Sequence, residues 1–120
     1  MNLSILTLAA MVALISVPVQ AGCRLALVLA VDVSSSIDDE EYVLQRDGLA
    51  AALLDEDVQQ AMLPRNGQSV ALAVYEWSGR YQSEVRLDWT EIRDRADILH
   101  AAETLAKSSR SQQEFPTALG

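Results

Sequence analysis

The chain has 120 residues, room for one domain, with 9 Lys and Arg against 17 Asp and Glu and a net charge of -8. That charge repels phosphate backbones and anionic lipid surfaces, and the arginines are scattered rather than massed on one element, which argues against nucleic acid as a partner. Cys23 is the lone cysteine, so no internal disulfide forms.

No charged side chain occurs in the first 23 residues, and Leu3 to Val19 is almost wholly apolar. Val19 and Ala21 then supply the small or apolar residues a signal peptidase reads just before its cut. Residues 1–21 therefore read as a signal peptide, although "MNLSILT" offers only the terminal amine as positive charge. An uncleaved anchor is the alternative, at the short edge of the roughly 20 residues a span needs. A lipid-modified Cys23 is a second alternative, disfavoured by Gln20. The expectation is an exported protein, periplasmic or secreted, not inserted in a membrane once the signal is removed, with a domain over residues 22–120.

"RLALVLAVD" (24–32) is a continuous apolar run, predicted to be a strand buried on both faces as in the middle of a parallel sheet. A helix is predicted to start at Asp38–Glu41, capped by Ser36 or Asp38, with Tyr42, Val43, Leu49, Ala50, Leu53 and Leu54 on its core face. Arg46 lies on the same face and needs a partner or the rim for its head group. The helix weakens at "LLDEDVQQAM", through a bend or a short second helix, and stops at Pro64 and Gly67. "QSVALAVYEW" (68–77) is the second strand; after the turn "SGR", "YQSEVRLDW" (81–89) is expected as an antiparallel edge strand. Thr90 is the predicted cap of a last helix with Ile92, Ala96, Leu99, Ala102 and Leu105 inward, and "PTALG" opens another. This order predicts an α/β fold: an open doubly wound, Rossmann-like, mostly parallel sheet with an antiparallel edge strand, ending after its first half.

In such sheets ligands bind beyond the carboxyl ends of the central strands. Asp32 stands at that end of the first strand, and with Ser34 and Ser36 it forms D-x-S-x-S, oxygen-bearing side chains on alternate residues of one tight loop. Alternation turns them to one side. Short hydroxyls and one carboxylate suit a small hard cation that takes oxygens at about 2.0–2.1 Å in an octahedral shell.

On these residues the chain resembles the von Willebrand factor A domain family, whose metal-ion-dependent adhesion site begins with D-x-S-x-S after the first strand. "VALAVYEWSG" looks like the family's second strand with its terminal aromatic–Ser, and "PTALG" resembles the loop in which a Thr reaches the metal. The resemblance spans residues 22–120 and is strongest to an exported bacterial branch of unknown function. It implies that Asp32, Ser34, Ser36 and Thr117 hold Mg²⁺ (or Mn²⁺), directly or through water. It further implies a non-catalytic, adhesion-type module, in which a protein ligand completes the coordination with a carboxylate. The family pattern also needs a later strand beside the first, ending in an acid, and the chain stops at Gly120 before it. The expectation is an N-terminal fragment of the domain, marginally folded alone and holding metal weakly.

Other chemistries fit less well. A calcium helix-loop-helix counted from Asp32 would need glycine at Ile37 and an acid at Val43. A metal-dependent phosphohydrolase with Asp32 as nucleophile is the enzymatic alternative, but a second acid is wanted where Ser34 stands. A non-binding truncated pseudo-domain is the third reading. The serines lack a G-x-S-x-G elbow, His100 lies far in sequence from them, and no glycine-rich phosphate loop occurs. The "DDEE" run reads as helix N-terminal charge, and Trp77 as a core or edge aromatic that alternatively borders a binding surface.

Overall fold

Two apolar runs rich in Val, Leu and Ala lie side by side as parallel strands, and the chain between them folds back as helix. The computed structural model describes residues 22–79 and 81–111. Their order is β1 (Gly22–Asp32), α1 (Asp39–Leu54), α2 (Glu56–Met62), β2 (Gln68–Trp77), β3 (Ser83–Ile92) and α3 (Arg95–Ala106). The predicted signal peptide and the segment holding Thr117 lie outside the described residues.

The protein is α/β, with a three-stranded sheet in the order β1-β2-β3. β1 and β2 run parallel, with Leu27 opposite Leu72 and Asp32 opposite Trp77, so both strands end at the same edge of the sheet. β2 and β3 run antiparallel, with Trp77 opposite Ser83 and Val70 opposite Ile92. The expected antiparallel edge strand is therefore present, but the described sheet is mixed rather than mostly parallel.

α1 starts where its acids predict. Asp38 caps the Glu41 amide at 2.9 Å while the Glu41 carboxylate accepts the Asp38 amide at 2.9 Å, a reciprocal box that satisfies two otherwise orphaned donors. Tyr42, Ala50 and Leu53 are buried as expected, whereas Val43 and Leu54 stay 40% and 49% exposed, because the core-facing stripe is narrower than their spacing implies. The weak stretch is a break: Asp55 ends α1 in an extended conformation and its side chain caps α2 through the amides of Asp57 and Val58. Arg46 finds its rim partners in Asp47 and the Ser108 carbonyl.

β3 and α3 correct the reading of residues 90–99. Thr90 caps no helix; it pairs with Leu72 inside β3, which continues to a fully buried Ile92. Ile92 thus fills the core from a strand, where β-branching is favoured. Asp94 is the cap, accepting the Asp97 amide at 3.1 Å, and the helix that follows buries Ile98, Ala101, Ala102 and Leu105. Of the expected inward residues on the helix Ala102 and Leu105 are buried, whereas Ala96 is exposed and Leu99 is 51% exposed.

All three helices join one core cluster with Val70, Leu72, Val74, Leu87 and Ile92, and Leu27, Leu29 and Val31 pack against it. These β1 and β2 residues are alternate positions, so they share one face of the sheet. On the other face Val28, Val85 and Trp89 are 46%, 63% and 55% exposed. The expectation that β1 is buried on both faces is therefore not met: among the described residues it pairs on one side only, and only one of its faces is covered.

Candidate metal centre

The last ladder bond on β1 is from the Val33 amide to the Trp77 carbonyl, at 3.0 Å. It holds the start of the D-x-S-x-S loop against the end of β2. Asp32 Oδ1 then accepts the Ser34 amide at 2.8 Å, a local turn that sets the direction of the carboxylate. The Ile37 amide bonds the Ser34 carbonyl at 2.9 Å and closes the loop just before the Asp38 cap. Within it Val33 and Ser34 are fully buried. The hydroxyls of Ser34 and Ser36 meet at 3.1 Å.

The structure thus brings together three of the four proposed ligands. The two serine hydroxyls touch, and Asp32 is tied to Ser34 through its backbone. Neighbouring oxygens around a cation with bonds of about 2.0–2.1 Å stand roughly 2.9 Å apart in an octahedron. The serine separation is close to that edge, and the three side chains offer only hard oxygens, the donor type that small hard cations take. Thr117 falls outside the described residues.

Beneath this loop lies a buried polar junction that the sequence reading did not find. Glu76, the penultimate residue of β2, is 3% exposed. Its Oε1 accepts the Tyr42 hydroxyl at 2.6 Å and its Oε2 accepts the Ser111 amide at 2.9 Å. Arg86 on β3 places Nη2 2.9 Å from the same Oε2 and Nη1 3.1 Å from Glu84. One carboxylate therefore joins α1, β2, β3 and the segment after α3. Burial pushes the Glu76 carboxyl up, but the hydrogen bonds from Tyr42 and Ser111 and the Arg86 guanidinium outweigh it and hold the group below its ordinary value. Burial, with the neighbouring carboxylate, raises the Tyr42 phenol. The available signal was the acid itself: Glu76 continues the alternation of Val70, Leu72 and Val74, inward positions of an otherwise apolar strand.

Arg110 fastens the loop from outside. Its Nη2 donates to the carbonyls of Val33 at 3.1 Å and Ser34 at 3.2 Å, and its Nη1 lies 3.1 Å from Asp39 Oδ1. The guanidinium also stands 5.9 Å from the centre of the Tyr42 ring. Nothing in the sequence announces this contact, which joins residues 76 positions apart.

The other singled-out residues play lesser parts. Trp77 is half-buried at the end of the central strand, paired with Asp32 and Ser83, His100 is exposed on α3, and Cys23 is an exposed free thiol whose Sγ lies 3.0 Å from the Leu25 carbonyl. Among the described residues no helix is long and apolar enough to cross a membrane.

Fold and site together define a small mixed-sheet α/β protein with an Asp/Ser loop at the shared end of its parallel strands. The chain belongs to the family described as "Protein of unknown function (DUF1194)", whose model matches residues 22–120. No curated protein and no solved structure matches it.

Proposed function

We propose that this protein is a non-catalytic, metal-dependent binding module. Asp32, Ser34, Ser36 and Thr117 hold Mg²⁺ or Mn²⁺, and an acidic side chain of a protein partner completes the coordination. The observation that carries the reading is the meeting of the Ser34 and Ser36 hydroxyls at 3.1 Å, in a loop that also orients the Asp32 carboxylate. A cation held by one carboxylate and neutral hydroxyls keeps most of its charge, so an incoming carboxylate is attracted strongly.

One further observation supports it. Ser111 is hydrogen-bonded to Glu76, next to the end of β2, and Thr117 follows by six residues, a length that reaches at most ~22 Å. The von Willebrand factor A resemblance carries the remaining parts: a Rossmann-like doubly wound sheet, of which the described strands form part, and export to the periplasm or beyond after removal of residues 1–21.

The test is calorimetric titration of Mg²⁺ and Mn²⁺ into the full chain and into Asp32→Ala, followed by an acidic peptide with and without EDTA. Metal binding that is at least tenfold weaker in the variant, with peptide binding only when metal is present, supports the module. Equal titrations for the two chains remove the metal from the mechanism.

A further inference from the structure

We infer that Arg110 is a positioning residue for the D-x-S-x-S loop, holding the Ser34–Ser36 turn in its ligand-ready shape without itself touching the cation. The inference rests on the metal-module reading for its functional meaning, but the structural half stands separately. The Ser34 carbonyl accepts from both the Ile37 amide, at 2.9 Å, and Arg110 Nη2, at 3.2 Å. The Val33 carbonyl accepts from the same nitrogen at 3.1 Å. One planar donor group therefore bridges two successive carbonyls and fixes the direction of the peptide that joins Val33 to Ser34. That peptide's amide is the one bonded to Asp32 Oδ1. Turning it would rotate the Asp32 carboxylate and separate the serine hydroxyls together.

Arg110 is itself anchored. The next residue, Ser111, donates its amide to buried Glu76, which in turn accepts the Tyr42 hydroxyl, and the Arg110 guanidinium lies over the Tyr42 ring. The ion pair with Asp39 is a minor part of this hold, because the Asp39 side chain is 97% exposed and the attraction is screened. Both carbonyls take their bonds from Nη2 alone, and what matters is that the planar guanidinium, lying over the Tyr42 ring, keeps that nitrogen in place, which a flexible point-charge ammonium does not reproduce.

A positive group beside a cation site also repels the cation, so two roles for Arg110 predict opposite results. If Arg110 acts by charge, Arg110→Gln binds Mn²⁺ more tightly and Arg110→Lys is unchanged. If it acts by position, both variants bind more weakly, and Lys does not rescue.

The experiment pairs amide hydrogen exchange of the metal-free full chain with Mn²⁺ titration, for the parent, Arg110→Lys and Arg110→Gln. The amides of Ser34 and Ile37 report the loop, and that of Leu72, in the middle of β2, reports global opening. The expected result is exchange at least tenfold faster at Ser34 and Ile37 in both variants, no change at Leu72, and Mn²⁺ affinity at least tenfold lower. Unchanged loop amides overturn the inference, and so does equal acceleration at Leu72, which would make Arg110 a general stabiliser. Faster loop exchange with unaltered or tighter Mn²⁺ binding also overturns it. If the parent binds no Mn²⁺ while the loop amides respond selectively, the metal reading fails and the loop-holding role of Arg110 stands.

Discussion

The Tyr42 hydroxyl and the Glu76 carboxylate are joined by a 2.6 Å hydrogen bond inside the protein, linking the first turn of α1 to the end of β2. Tyr42 is 4% exposed, as its place on the core face of α1 predicts, and Glu76 is 3% exposed although a carboxylate is rarely buried. Their burial is tolerable because each meets the other's requirement, with Arg86 and Ser111 supplying the rest of the carboxylate's partners.

Tyr42→Phe leaves the ring in place and takes one donor from a buried carboxylate. A buried acceptor deprived of its partner costs about 1–3 kcal/mol, so the variant should lose stability in that range by urea unfolding while keeping its fold. A change within a few tenths of a kcal/mol would mean that the hydrogen bond contributes no net stability.

Glu76 makes stability depend on acid. Its folded pKa lies below the ordinary glutamate value near 4.3, so the folded state binds fewer protons than the unfolded one in that region. The contribution is full above the unfolded value and is lost as pH falls through the lower folded value. Unfolding followed from pH 7 downward should show this loss below about pH 4.3 in the parent and a flatter acid limb in Glu76→Gln. Superimposable limbs would place the acid sensitivity elsewhere.

The start of α3 separates two candidate caps. Asp94→Ala should cost about 1 kcal/mol, because its carboxylate holds the Asp97 amide. Thr90→Ala should leave α3 intact, since Thr90 belongs to β3 and its hydroxyl bonds the Asp88 carbonyl. Thermal melts followed by circular dichroism compare them, and a larger loss of helix in the Thr90 variant would contradict the assignment.

Metal should stabilise the full chain by mass action. At a hundredfold excess over its dissociation constant, Mg²⁺ should add about 2.7 kcal/mol, seen as a rise in Tm that EDTA reverses. Asp32→Ala should show no such rise. An identical shift in both chains would assign the effect to the acidic surface rather than to the D-x-S-x-S loop.

Much of the architecture was legible because it follows from local patterns. The bounds of β2 follow from an apolar run closed by Gly67 and by the "SGR" turn, and the start of α1 follows from its acids, with Ser36 and Asp38 both able to cap it until the structure places Asp38 there. The break at Asp55 coincides with the acids of "LLDEDV". Residues 90–99 were misread because Ile92 satisfies both a strand and a helix period, and only its pairing with Val70 settles which applies. The D-x-S-x-S loop was legible as a set of donors, while the partners that shape it were not.

By itself the sequence determined what local chemistry determines: an acidic α/β chain, two apolar strands, a helix starting at the acids after the serines, and an Asp/Ser loop following β1. Tertiary structure alone decided that Glu76 would be a junction rather than a surface acid, that Arg110 would reach back across 76 residues to the Ser34 carbonyl, and which face of the sheet would be covered. The physical reason is range. Caps, turns and periodicity act within a few residues, whereas the pairing of a buried charge depends on which distant donors the packed chain happens to bring within 3 Å of it, as it does for Glu76.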